Sequence, residues 1–230
     1  MNREEEIYSN KLSNFFETLG FRYRIFEEFK KQTDRFLASE FNFIDIIEPD
    51  ENKISDIIAY ILEPYGIHGQ GEIFIYQFLE ILKEFFDIEI PYSNLSTTKV
   101  NREFFTDKER RIDIVIELDS GFMIGIENKP WAGEQENQLE DYDVYLYKKS
   151  KDRYLLIYLD GIGREAESIN KDKKEQLKKE NKFLETSYHK LLIPWLKKCV
   201  KECESEKVRW FLKDLISWIE VNFVEEYENA

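Results

Sequence analysis

The sequence predicts an α/β fold, a small mixed β-sheet flanked by helices on both faces, with extra helices at its N- and C-terminal ends. Three observations predict it. Ile112, Ile114 and Ile116 alternate with Asp113, Val115 and Glu117, and Phe122, Ile124 and Ile126 alternate with Met123, Gly125 and Glu127. That is the period of two of β-strands. Residues 154–159 form a compact apolar run closed by Asp160-Gly161, the pattern of a strand buried on both sides. Residues 134–147, between the two, have helical spacing, so a strand–helix–strand unit with a parallel crossover is expected.

Composition sets the outer bounds. A chain of 230 residues is one ample domain, read here as a single unit over 1–230 with a helical N-terminal cover (1–48), a core (49–160) and a C-terminal helical part (161–230). Hydrophobic residues are 42% and aromatics 15%, sufficient for a substantial core. No apolar run is long enough to span a bilayer, and MNREEEIYSN does not read as a signal peptide. Cys199 and Cys203, four apart in a helical pattern, cannot make a disulfide framework, and with only His68 and His189 elsewhere a zinc half-site has little support. A cytoplasmic protein with no membrane association is expected. The net charge of −14 argues against non-specific coating of nucleic acid and favours a protein partner or homo-oligomer. It leaves room for an enzyme that recruits a metal ion.

The N-terminal part reads as two helices. Leu12, Phe15, Phe16 and Leu19 share a stripe that Gly20 can end, and Phe26, Phe29, Phe36 and Phe41 mark a second. Asp50 is a plausible N-cap for a third helix whose buried face carries Ile54, Ile57, Ile58, Ile61 and Leu62. Glu51 shares that face, where it either favours the helix dipole or points inward at a site. The loop 64–71 is irregular by its Pro and Gly content, with His68 in a structural role, before a helix over 72–86. Residues 97–105 read as the first strand, with Glu103 near its end as an accessory acid.

The central hairpin follows. If Asp119-Ser120-Gly121 form the loop, Leu118 faces Phe122, paired numbers sum to 240, and Asp113 lies opposite Glu127 with Lys129 on the same face. Two carboxylates a few Å apart repel unless a cation sits between them. Mg²⁺, a hard ion that takes carboxylates and phosphate oxygens, suits such a pair, and a Lys beside it can orient an attacking water. The plainer reading is a salt-bridge ladder on an antiparallel pair. Spacing alone leaves both open.

Past Pro130, Gln135, Gln138 and Tyr142 share a helical face, with Gln138 either a contact for a metal-bound water or a phosphate or a solvated helix residue, and Tyr142 read as core packing. The run KDKKEQLKKENK is a solvated helix or loop, and also the densest basic cluster in the chain. Two terminal helices, 187–203 and 208–224, carry Trp195, Trp210 and Trp218, and the EEYENA end reads as frayed. Aromatic residues are in short supply in the site so identified, which gives single-strand stacking no support.

Asp113 followed by Glu127-Asn128-Lys129 resembles the PD-(D/E)XK nuclease superfamily, in a branch with a glutamate on an N-terminal helix and an ENK motif. ENKISDIIAYILEP, IHGQGEIF, RRIDIVIE, IGIENKPWAGEQENQLEDY, LLIYLDG and SYHKLLIPWL carry the resemblance over about 51–218, with Ile112 in place of the superfamily's Pro. The resemblance implies a restriction-endonuclease-like core and Mg²⁺-dependent hydrolysis of DNA, with Mn²⁺ able to substitute. It implies metal ligation by Asp113, Glu127, the Asn128 carbonyl and Glu51, and catalytic roles for Lys129, Glu127, Asp113, Glu51 and Gln138. A role in defence against foreign DNA follows by association only. The reading from a different class is a non-catalytic interaction module of the same fold.

Overall fold

The computed structural model describes residues 3–107, 110–131 and 133–224. The EEYENA end lies outside the described residues. Contacts divide the chain into two units, 1–41 and 42–230.

The first unit is built on α1 (Arg3–Leu37), a single helix rather than two. Gly20 does not end it. A mid-helix glycine costs about 1 kcal/mol relative to Ala, but termination needs a left-handed residue or a proline. That residue is Ala38 (φ 45°), whose N–H donates to the Asp34 carbonyl while the Asp34 side chain accepts from Ser39.

The second unit holds a five-stranded sheet, in chain order β1 (Lys99–Phe105), β2 (Arg111–Glu117), β3 (Met123–Lys129), β4 (Tyr154–Asp160) and β5 (Phe183–Ser187). β1, β2 and β3 are antiparallel neighbours, whereas β3, β4 and β5 run parallel. β3 is the seam, antiparallel on one side and parallel on the other. Its seven residues are all buried, as a strand covered on both faces requires. The β2–β3 register sums to 240, from Glu117 facing Met123 to Ile114 facing Ile126. Gly121, at φ 77°, supplies the positive φ of the loop, and its N–H donates to the Leu118 carbonyl.

Alternation along the strands feeds two cores. Ile114, Ile116, Ile124, Ile126, Ile157 and Leu159 pack with α3 (Glu51–Leu62), α4 (Ile73–Phe86), α7 (Ile193–Glu202) and α8 (Glu206–Asn222). Val115, Met123, Leu156 and Tyr158 pack on the other face with α5 (Gln138–Ser150) and α6 (Lys171–Lys179). The mixed α/β fold is as the sequence predicts.

Boundaries differ in places. β5 is a strand that sequence reading misses, and the chain beyond it makes a π-turn (Tyr188–Leu192) before α7. α5 starts at Gln138, four residues later than periodicity predicts, because Asn137 in the left-handed region (φ 57°) breaks the helical run. The basic run is mostly spent on internal ion pairs: Lys173 with Asp143, Lys174 and Lys178 with Glu185, Lys182 with Asp152 and Glu180.

Candidate active site

The site is assembled at the C-terminal end of β3 from four elements. Asp50 caps α3, its carboxylate accepting from Lys53 N–H at 2.7 Å, and so fixes the first turn that carries Glu51. The β2–β3 hairpin supplies Asp113, Glu127, Asn128 and Lys129, and the first turn of α5 supplies Gln138.

Lys129 is the hub. Its Nζ lies 2.7 Å from Glu51 Oε1 and 2.8 Å from Glu127 Oε1. Glu127 is 1% exposed, and Gln138 Nε2 donates to the same Oε1 at 2.7 Å. Tyr142 OH lies 2.9 Å from that amide nitrogen and donates in turn to the Arg111 carbonyl, so this core tyrosine also aims Gln138. The β2–β3 ladder ends at Ile114 and Ile126, so Asp113 is not a ladder partner squarely across from Glu127. Asp113 Oδ2 instead accepts the backbone N–H of Asn128 at 2.8 Å. The outcome is the cluster the register argument needs, reached through a splay at the end of the hairpin.

Further residues hold the frame. Asn128 Nδ2 donates to Ser55 Oγ (2.9 Å), and Tyr188 OH donates to Asn128 Oδ1 (2.7 Å), tying β3 to α3 and to the turn after β5. Arg102 reaches across from β1 to Asp56 Oδ1 (2.9 Å), the Asn52 carbonyl (3.2 Å) and the Asp113 carbonyl, bracing the helix of Glu51 against the strand of Asp113. Asp160, fully buried at the end of β4, accepts from the backbone N–H groups of Ile162, Gly163 and Arg164 and pairs with the Arg164 guanidinium at 2.8–2.9 Å. Ser55, Tyr188, Arg102 and Asp160 are not distinguished by sequence spacing.

Glu103 and His68 have different outcomes. Glu103 sits outside the cluster in an ion pair with Arg111 (3.1 Å), both half exposed, because its φ of 47° diverts the strand there. His68 is buried in the loop, with Nδ1 accepting from Gln70 N–H (3.0 Å) and Nε2 donating to the Glu63 carbonyl (2.8 Å), the structural role read from the sequence.

Electrostatics follow from burial. Desolvation, then the neighbouring Asp113, pushes the Glu127 carboxyl up to about 8, against the pull of Lys129. Burial also raises Asp113, partly offset by the Asn128 N–H. For Lys129, burial alone would lower the ammonium, but Glu127 and Glu51 outweigh it and hold it charged.

Do these residues fit a divalent cation? Among the described residues no three His, Cys, Asp or Glu side chains form a ready ligand set. Here the Lys129 ammonium itself stands between Glu51 and Glu127. Yet Glu127 Oε2 is buried with no hydrogen-bond partner among the described residues, beside a second carboxylate. An unpaired buried carboxylate oxygen is costly, and a hard cation satisfies it. The oxygen-rich donor set fits.

A family model described as the PD-(D/E)XK nuclease superfamily matches residues 41–216. No curated protein and no solved structure gives a significant match. Proteins of this superfamily are usually nucleases and typically use divalent metal ions. The match covers most of the chain and takes in every residue of the cluster around Lys129, and the chain belongs to the PD-(D/E)XK nuclease superfamily.

Proposed function

We propose that this protein is a metal-dependent nuclease that hydrolyses phosphodiester bonds in DNA. The observation that carries the reading is the orphaned, buried Glu127 Oε2 within a cluster of Asp113, Glu51 and Lys129. A divalent cation, Mg²⁺ or Mn²⁺, held by Asp113, Glu127, Glu51 and the Asn128 main-chain carbonyl, supplies Lewis-acid polarisation of the phosphate. Lys129 keeps its proton, orients the attacking water and donates to the phosphate oxygen on which charge develops. Gln138 holds Glu127 Oε1, which would leave Oε2 available to the cation. Glu51 balances Lys129 before substrate arrives. Defence against foreign DNA is a setting in which such an activity serves.

The test is cleavage of supercoiled, linear and single-stranded DNA with Mg²⁺, Mn²⁺ or EDTA, beside Lys129→Ala and Asp113→Ala. Metal-dependent cutting by the wild type, reduced at least about 10²-fold in either variant, is expected. A folded Lys129→Ala protein that cuts at the wild-type rate sinks the assignment.

A further inference from the structure

Beyond the acid–lysine cluster, a second feature stands against it. Trp131, two residues past Lys129, is 50% exposed although it is a large aromatic side chain. It is also firmly held. Its ring lies at 31° to that of Phe223, centroids 5.2 Å apart, with Trp218 edge-on at 87° and 6.3 Å. Phe223 and Trp218 are themselves buried in the core. The fit depends on Gly161, where a Cβ would come within 2.5 Å of Phe223 Cδ1 and 2.4 Å of the Pro130 carbonyl oxygen. The Trp131 backbone is pinned too, its carbonyl accepting from Arg164 Nη1 at 3.2 Å.

One face of the indole is therefore backed by Phe223, and its exposed part borders a groove of about 420 Å³ lined by Asp45, Glu48, Pro49, Trp218 and Asn222. Pro49 is two residues before Glu51 and Trp131 two residues after Lys129. Phe223, which backs Trp131, packs at 4.6 Å on Tyr188, whose hydroxyl donates to Asn128 between Glu127 and Lys129. The chemistry of the groove selects what can enter. The carboxylates of Asp45 and Glu48 repel a phosphate but accept hydrogen bonds from amino groups, which base edges carry. A rigid indole offers a π-face to any base and loses little entropy on stacking.

We propose that Trp131 and this groove take up an unpaired nucleobase of the substrate strand, stacked on the indole, with its phosphate directed towards Lys129. This rests on the nuclease reading and narrows its substrate to nucleic acid with a base out of the double helix: single strands, frayed ends or flipped bases. It adds an aromatic residue to a site in which sequence reading finds a shortage of them. Spacing from Lys129 did not single out Trp131, because only the packing of Phe223 and Trp218 shows it to be a platform.

Binding of a fluorescein-labelled single strand and of the blunt duplex of the same sequence, followed by anisotropy in EDTA so that nothing is cut, tests the proposal. Trp131→Ala is expected to weaken single-strand binding about 10-fold, from the ~1–3 kcal/mol of a base–aromatic stack, with duplex binding changed less than about 2-fold. Trp131→Phe restores most of the loss. Trp210→Ala, which removes another exposed indole, changes neither. Unaltered single-strand binding by Trp131→Ala, or an equal loss for duplex and single strand, overturns the stacking role. If the wild type nevertheless cuts DNA with Mg²⁺ or Mn²⁺, the nuclease reading survives that result. A wild type that neither binds nor cuts any of these nucleic acids removes both.

Discussion

Glu127 shows how one side chain can be destabilised in the interest of chemistry. Its Oε1 has two donors, Lys129 and Gln138, while its Oε2 is buried without one among the described residues. Gln138 thus bears on Glu127, and under the proposed function, in which Glu127 is a metal ligand, residues that orient such a ligand typically matter by about 10–100-fold in affinity or activity. Gln138→Ala is expected to lower cleavage by about that factor and to move the half-saturating Mg²⁺ concentration upward. A rate-against-Mg²⁺ titration reads both, and an unchanged midpoint refutes the positioning role. At this scale the hairpin was legible: Asp113, Glu127 and Lys129 lie within one local motif, so counting along two strands brings them together. Tyr188 and Ser55 were not, since they reach Asn128 from 60 and 73 residues away. No periodicity encodes such a contact.

Two glycines separate soft neighbours from hard ones among the elements. A Cβ on Gly125 in β3 would meet Leu146 Cδ1 of α5 at 2.9 Å, the free end of a flexible side chain. A Cβ on Gly161 would meet the Pro130 carbonyl oxygen at 2.4 Å, which is backbone attached directly to the active-site strand. Overpacking typically costs about 1–3 kcal/mol when side chains can give. Gly125→Ala is expected within that range and Gly161→Ala above it, as measured by urea denaturation. The reverse order would show that the 129–131 segment moves more readily than its hydrogen bonds to Gly161 and Arg164 imply. Element boundaries were least legible where a single backbone angle decides them. Asn137 and Ala38, both at positive φ, reset the start of α5 and the end of α1, and neither residue type demands that conformation. β5 escaped notice because Phe183–Ser187 is only five residues with a glutamate at its centre, and Glu185 is tolerated there by Lys174 and Lys178.

On the scale of the whole chain, the family match begins at residue 41, one residue before the second unit begins. The unit 42–230 contains the entire sheet, both cores and every group of the candidate site. A chain of 42–230 is expected to unfold cooperatively and to retain metal-dependent cutting. Circular dichroism melting with a cleavage assay checks this, and loss of both would make α1 part of the catalytic fold. The overall class was legible because two apolar periodicities and one buried run specify a mixed sheet. The two-unit division was not, because apolar residues recur at helical spacing on both sides of the boundary at residue 41.

The seam position of β3 sets an order of events during folding. Its antiparallel partner precedes it by a three-residue loop, so that pairing closes quickly and locally. Its parallel partner β4 arrives only after a whole crossover helix has been made. During synthesis, a strand whose every residue is to be buried waits with one unpaired edge, the condition under which chains stick to one another. The reactive cluster at the end of that strand stays incomplete for the same interval, because Gln138 comes from the crossover. Completion of the cluster and pairing of the vulnerable edge therefore both wait on the crossover from β3 to β4.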